Sequence, residues 1–131
     1  MTTAFVNGPV ITGTGQILEH ATVLVENDKI VKIAMGTDAG TPFNHHGKNL
    51  NEVKLLVEWC DFSPMEAIES ATRIAAETLS LENQIGTIEE GKLADLILVA
   101  GNPLDDIGLL CNQENIHLVM QGGNLVKGSA A

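Results

Sequence analysis

The chain has 131 residues, of which 44% are hydrophobic and 18% are charged, and its formal net charge is −10 at pH 7. This length suits one domain with a hydrophobic core, but it is far below the roughly 250 residues of a complete (β/α)8 barrel. The apolar composition excludes a disordered tail, and the excess of acidic over basic residues disfavours nucleic acid as a partner, since binding it requires clustered cations.

Membrane and secretory signals are not visible in the sequence. No apolar run approaches the roughly 18 residues that a membrane span requires, and the opening MTTAFVNGP does not read as a secretory signal. The two cysteines, Cys60 and Cys111, are too few and too far apart to form a metal or disulfide pattern. We therefore expect a cytoplasmic protein that does not enter a membrane.

The first third of the chain has a strand-like pattern. Residues 5–33 contain short apolar and β-branched runs separated by Asn, Asp and Gly residues. The run ATVLVENDKIVKIA predicts two strands joined by a hairpin at Asn27, Asp28 and Lys29.

The middle of the chain has a helical period. Residues 49–60 place one apolar face on a first helix, formed by Leu50, Val53, Leu56, Val57 and Cys60. A second helix is predicted to begin after Ser63, because Pro64 suits the first helical position and Glu66 completes a capping box. Its apolar positions continue through Leu79, so we expect one helix over residues 64–80.

Strands return in the last third of the chain. The run LADLILVA, residues 93–100, is nearly continuous in apolar residues, so we expect it to be covered on both faces. The segment IHLVMQGGNLVKG predicts two further strands around a tight turn at Gly122 and Gly123. With strands at both ends and helices between them, the chain is α+β, and its two ends are expected to meet in one sheet or sandwich.

Four segments resemble the amidohydrolase superfamily, in particular its imidazolonepropionase-like and peptidase-like branch. They are FVNGPVITGTGQILEHATVLVENDKIVKI, the motif KIAMGTDAGTPFNHHG, the helical region of residues 49–80 and IGTIEEGKLADLILVAGNPLDDI. The resemblance implies that residues 1–34 and 85–128 form a small β-sandwich called the composite domain. It also implies that residues 35–84 are a remnant of a barrel, comprising its eighth strand and last helices.

The sequence departs from this family in the stretch between those segments. Complete members carry a first barrel strand that ends in a His-x-His pair, a metal-bridging residue and two later histidines. Here the histidines are His20, His45, His46 and His117, no two of them separated by one residue. We interpret VKIA, residues 31–34, as the junction of an internal deletion that leaves no complete (β/α)8 barrel; a designed or misassembled chain would have the same sequence.

The resemblance implies a role for three residues around the GTDAG motif. Asp38 matches the family's metal ligand and general base, while His45 and His46 match a loop that faces substrate. One carboxylate does not hold a catalytic zinc, because such sites have three or more protein ligands. The alternatives are that Asp38 caps the following turn and that Asp38 and one histidine form a two-ligand metal site. We expect no cofactor in this chain, although the complete family uses zinc.

The function implied by the resemblance is metal-dependent hydrolysis of a C–N bond in an amide, a cyclic amide or a peptide-like substrate. We expect this chain to be inactive by itself. The alternatives are a non-catalytic binding or scaffold module, one part of a split hydrolase, and an accidental product that folds. Because the deletion would uncover apolar helices, we also expect a homo-oligomer that associates through the helices at 50–60 and 64–80.

Overall fold

The computed structural model describes residues 2–11, 17–26, 29–37 and 46–128. Three strands come first: β1, Thr2–Ile11; β2, Ile17–Glu26; and β3, Lys29–Ala34. They form one antiparallel sheet in the order β1-β2-β3. Glu26 lies opposite Lys29 in the register, which confirms the predicted β2–β3 hairpin, although Asn27 and Asp28 lie outside the described residues.

Helices occupy the middle of the chain, as the sequence predicts. They are α1, Asn51–Trp59; α2, Pro64–Ala71; and α3, Arg73–Thr78. The start of α2 is confirmed in detail: the backbone N–H of Glu66 donates to Oγ of Ser63, and the Glu66 carboxylate accepts from the backbone N–H of Ser63. Two orphan donors at the helix start are thereby satisfied.

The prediction of one continuous helix over residues 64–80 is wrong, because the helix breaks at Thr72. This residue has φ −121° and ψ −89°, which lie outside the helical region. Its side-chain hydroxyl donates to the carbonyl oxygen of Ile68 at 2.7 Å. A β-branched residue whose hydroxyl bonds to the local backbone is unfavourable inside a helix. Thr72 accordingly lies between the end of α2 and the start of α3.

The last part of the chain forms a second antiparallel sheet. Its strands are β4, Leu96–Val99; β5, Ile116–Gln121; and β6, Asn124–Lys127, in the order β4-β5-β6. Two 3₁₀ turns, Ile107–Cys111 and Gln113–Asn115, lead from β4 to β5. The predicted tight turn is confirmed: Gly122 and Gly123 have φ +53° and +79°, which only glycine adopts without strain.

The described strands form two separate sheets, and β4 pairs with β5, so the two ends of the chain do not share one sheet; a sandwich of the two sheets stays a prediction. One expectation about the run LADLILVA is wrong: its side chains are not covered on both faces, since Ile97 is 42% and Leu98 is 57% exposed. Successive side chains of a strand point to opposite faces, so these two exposures mean that neither face of β4 is fully covered by another layer.

The hydrophobic core lies among the helices. Its buried residues are Val53, Ala67, Ile107 and Leu110. Residues from both ends of the chain pack against this cluster, including Met35 just after β3 and Val99 at the end of β4. The helical segment therefore joins the two sheets, and the predicted apolar face of α1 is confirmed through Val53, Leu56 and Val57.

Candidate functional site

The residues that the GTDAG resemblance singles out are only partly described. Asp38 and His45 lie outside the described residues. His46 begins the described segment 46–128, lies in a turn and is exposed.

The other histidines and the cysteines lie apart from that motif in the sequence. His20 is on β2, and His117 is exposed on β5. Cys60 and Cys111 are both free thiols of intermediate exposure. Burial raises the pKa of both thiols, so each is a protonated, weakly nucleophilic group at neutral pH.

A metal centre requires several His, Cys, Asp or Glu side chains that lie close together. Within residues 2–11, 17–26, 29–37 and 46–128, no group of three or more His, Cys, Asp and Glu residues is arranged to hold a metal ion. A catalytic zinc requires three protein ligands and an open position. This part of the chain does not fit the zinc of the complete family.

The strand end that leads into Asp38 is held by α2. Ser70, which is fully buried, donates its hydroxyl to the carbonyl oxygen of Ile33 at 3.0 Å. In return the backbone N–H of Met35 donates to the carbonyl oxygen of Ser70 at 3.2 Å. The neighbouring Ala67 is also fully buried, and these two small side chains let the helix approach the strand closely. Residues 35–37 therefore leave β3 in a fixed direction.

Four charged side chains form an ion-pair network beside this contact. Arg73 donates to Glu69 at 2.8 Å and to Glu77 at 2.9 Å, so one guanidinium connects α2 and α3 across the break at Thr72. Lys32 on β3 forms an ion pair with the same Glu77. The network joins the strand to both helices.

The network changes the protonation equilibria of its members. The hydrogen bond from Lys32, followed by that from Arg73, lowers the pKa of Glu77. The hydrogen bonds to Glu69 and Glu77 raise the pKa of Arg73. These shifts keep Glu77 negative and Arg73 positive, which suits an electrostatic clamp and not a proton-transfer group.

An open groove of about 570 Å³ runs alongside the network. Its walls combine apolar side chains such as Ile33, Phe62 and Ile74 with the charged groups of Lys32 and Arg73. Both cations already have carboxylate partners. The groove therefore offers apolar contacts to a ligand, while the positive charges of Lys32 and Arg73 are already neutralised by carboxylates of the same chain.

No sequence motif marks Ser70 as a structural residue. The available signal was position: Ala67 and Ser70 are three residues apart on the face of α2 that also carries Ile68 and Ala71. A small polar residue on an otherwise apolar helix face indicates a close approach to backbone.

Comparison with known proteins identifies the fold family. The sequence profile of the Amidohydrolase family matches residues 18–126, so the match runs through β3 and crosses the proposed junction at VKIA. The chain belongs to the amidohydrolase family. This confirms the resemblance found in the sequence.

Relatives within the amidohydrolase family are similar over about three quarters of this chain. Ochratoxinase from Aspergillus niger is 34% identical over 99 residues, which cover 75% of this chain and 20% of the relative. Imidazolonepropionase from Thermoplasma volcanium is 28% identical over 99 residues, covering 76% of this chain and 24% of the relative.

Solved amidohydrolase structures give the same result. A Xaa-Pro dipeptidase with bound methionine is 46% identical and superimposes with a TM-score of 0.65 over 72% of this chain and 22% of its own. A putative prolidase from Bifidobacterium longum is 35% identical, with a TM-score of 0.67 over 75% of this chain and 24% of its own. The chain thus spans about a fifth to a quarter of the length of these relatives.

Among the described residues, none of the helices is long and apolar enough to span a bilayer.

Proposed function

We propose that this chain is an internally shortened amidohydrolase that does not hydrolyse substrate by itself. Complete members of the family hydrolyse C–N bonds at a metal centre, and the relatives named imidazolonepropionase and Xaa-Pro dipeptidase support cyclic amides and peptides as the substrate class. One observation carries the proposal. The family match crosses the junction at VKIA, yet the four histidines of the whole sequence include no His-x-His pair.

The test is an activity assay on the purified chain. Dipeptides, hydantoins and imidazolones are offered with and without added zinc, and we expect no hydrolysis above background. Asp38→Asn serves as the matched variant, because it preserves size and removes the carboxylate. Turnover that is abolished both by a chelator and by Asp38→Asn would refute the proposal and identify a working metal site.

We further propose that residues 1–34 and 85–128 form a composite β-sandwich, with residues 35–84 as the barrel remnant. The register of the second sheet supports this. Leu96 lies opposite Met120, Met120 opposite Leu125, and Leu98 opposite Leu118, so one face of the sheet is entirely apolar. Leu98 and Leu125 are 57% and 42% exposed. An apolar sheet face of this kind is normally covered by a second layer.

Truncation tests the sandwich. If β1 and its sheet cover the apolar face, deleting residues 1–12 removes part of that cover, and burial of each large aliphatic side chain contributes about 1.5–3 kcal/mol. The cooperative thermal transition should then be lost. A truncated chain that keeps the transition temperature of the full chain would contradict the sandwich.

We also propose that the chain is a homo-oligomer associated through the helices at 50–60 and 64–80. Large apolar side chains that remain exposed on and beside these helices support it, namely Trp59 at 72%, Met65 at 49% and Leu79 at 66%. The faces formed by Leu56 and Ile68 pack against the core of the same chain and are not available to a partner.

A split hydrolase is the alternative that we retain. The chain spans only 20% of the ochratoxinase and 24% of the imidazolonepropionase named above, and a second chain that supplies the missing barrel strands would cover the same apolar surfaces. Affinity purification from the native host, followed by mass spectrometry, distinguishes the two. A stoichiometric partner with a His-x-His barrel segment would favour the split enzyme over the homo-oligomer.

A further inference from the structure

A second cavity, of about 160 Å³, lies between the turn that precedes α1 and the second sheet. Most of its wall is apolar and comes from Leu50, Leu110, Cys111, Ile116 and Val119. Leu110 and Ile116 are buried, at 7% and 8% exposure, so the floor belongs to the packed part of the molecule. The cavity therefore has a stable apolar base.

The rim of this cavity is polar and is held in position by hydrogen bonds. Nε2 of Gln113 donates to the carbonyl oxygen of Gly47 at 3.1 Å, and Nζ of Lys127 donates to the carbonyl oxygen of Gln113 at 2.6 Å. These two bonds connect the turn before α1, the second 3₁₀ turn and β6. The opening is preformed, which reduces the ordering cost of binding.

The charge of the rim is opposite to that of the chain. Lys48 and Lys127 both line the cavity, and none of its lining residues is an Asp or a Glu. The whole chain carries 17 acidic residues and a net charge of −10. Glu52 and Glu114 are neighbours in sequence of lining residues but do not line the cavity themselves. Two ammonium groups above an apolar floor favour an anionic ligand with an apolar body.

We infer that this cavity binds a small organic anion, a carboxylate with a short aliphatic chain, with its charge at Lys48 and Lys127 and its chain against Leu110 and Ile116. The volume of the cavity, about 160 Å³, restricts the ligand to a few carbons. The two lysines favour an anionic group in the ligand, and the apolar floor favours an aliphatic chain. The site is independent of Asp38 and of the proposed hydrolase ancestry.

The first test uses the unmodified chain and three probes at constant ionic strength. Sodium butyrate, butyramide and sodium acetate are titrated into the ¹⁵N-labelled protein, and backbone amide shifts are followed. Butyrate should give saturable shifts at residues 47–51, 113 and 127, with weaker binding of butyramide, which lacks the charge, and of acetate, which lacks the chain. Equal binding of butyrate and butyramide, or of butyrate and acetate, would overturn the inference.

The second test uses charge-removing variants. Lys48→Met should weaken butyrate binding about threefold, as expected for loss of one exposed charge contact. Lys127→Met should weaken it at least as much, because it also removes the hydrogen bond to the carbonyl oxygen of Gln113. Lys54→Met is the matched control, because Lys54 lies on α1 and pairs with Glu58 but does not line the cavity. An equal loss in all three variants would show only a general effect of net charge and would overturn the site. A thermal melt confirms that each variant is folded.

Discussion

Ser70 and Ile33 are joined by a partly buried hydrogen bond of 3.0 Å from the serine hydroxyl to the isoleucine carbonyl oxygen. The bond connects α2 to β3 through two residues that are 37 positions apart in the chain. Ser70 itself is fully buried, so its hydroxyl loses access to water on folding and depends on this acceptor. This contact fixes the strand end from which the GTDAG motif continues.

Removing the Ser70 hydroxyl should therefore destabilise the chain. We expect Ser70→Ala to lower the free energy of unfolding by about 0.5–1.5 kcal/mol, because the carbonyl of Ile33 loses a hydrogen-bond partner in a partly buried position. Urea denaturation measures the change. Glu82→Ala, at an exposed turn position, is the control and should change stability by less than about 0.5 kcal/mol. Equal stability of the two variants would mean that the bond is not structurally significant.

The capping box at the start of α2 should give a measurable pH dependence. The hydrogen bonds from Ser63, through its side chain first and its backbone second, lower the pKa of Glu66. A group with a lowered folded pKa stabilises the fold above its unfolded pKa, and that contribution is lost as the pH falls through the folded pKa. The stability contributed by the cap should consequently decline as the pH falls below 4.5, the ordinary pKa of a glutamate.

Two variants separate the parts of that effect. Ser63→Ala removes the cap and should cost about 1 kcal/mol at neutral pH. Glu66→Gln can still accept the backbone hydrogen bond but has no titratable group, so its stability should be less sensitive to acid than that of the wild type. Circular dichroism between pH 3 and 7 measures both. An unchanged acid profile in Glu66→Gln would assign the pH dependence to other carboxylates.

Glu77 should contribute a second acid-sensitive increment. Its pKa is lowered by Lys32 first and by Arg73 second, so its contribution is present above the ordinary pKa of a glutamate and is lost as the pH falls through the lowered value. Glu77→Gln should cost about 0.5–1 kcal/mol at pH 7, and wild type and variant should converge in acid. Glu69→Gln, which loses only the pair with Arg73, should cost less. A Glu77→Gln deficit that persists at pH 2 would indicate a packing effect.

The oligomer proposal predicts different outcomes for two residues of one helix. Trp59 is 72% exposed, whereas Leu56 packs against the core cluster. Trp59→Glu should therefore dissociate an oligomer into folded monomers, and Leu56→Glu should unfold the chain, with a loss of about 2–5 kcal/mol. Light scattering coupled to size exclusion measures mass, and thermal melts measure folding. A wild-type chain that is monomeric at all micromolar concentrations would rule out the oligomer.

Local features of the fold were predictable from sequence, and long-range ones were not. The cap at Ser63, the hairpin that pairs Glu26 with Lys29 and the turn at Gly122 and Gly123 each depend on a few adjacent residues, whose backbone preferences are strong. The break at Thr72 was missed because the apolar period continues through it. The exposure of Leu98 was missed because an apolar run does not reveal which layers cover it.

The candidate site shows the same division. The GTDAG motif and the missing histidines could be identified from residue types alone, and the match to the Amidohydrolase family confirms the family resemblance. The roles of Asp38, His45 and His46 stay predictions. The hydrogen bond between Ser70 and Ile33 depends on which carbonyl group of β3 lies opposite α2 in the folded chain. The cavity rim at Lys48 and Lys127 unites residues that are 79 positions apart in the numbering. Neither is encoded in a local pattern.

Two glycines with nearly equal φ angles allow the cost of a close steric contact to be compared with the cost of a positive φ alone. Gly86 has φ +95° and Gly91 has φ +90°, so an alanine is strained at both, by about 1–2 kcal/mol. A Cβ at Gly86 would lie 2.5 Å from Cβ of Ala76 on α3, whereas a Cβ at Gly91 would meet nothing within 4 Å. Gly86→Ala should therefore cost about 1–3 kcal/mol more than Gly91→Ala, because α3 must move.

Urea denaturation of both variants measures that difference. The double variant Gly86→Ala with Ala76→Gly tests its cause, since removing the Ala76 methyl group relieves the shortest contact. The two changes should then be less than additive, as expected for residues in direct contact. Recovery should be partial, because a Cβ at Gly86 would still lie 3.1 Å from the carbonyl oxygen of Thr72. Equal costs for Gly86→Ala and Gly91→Ala would mean that the 85–87 segment does not pack closely on α3 in solution.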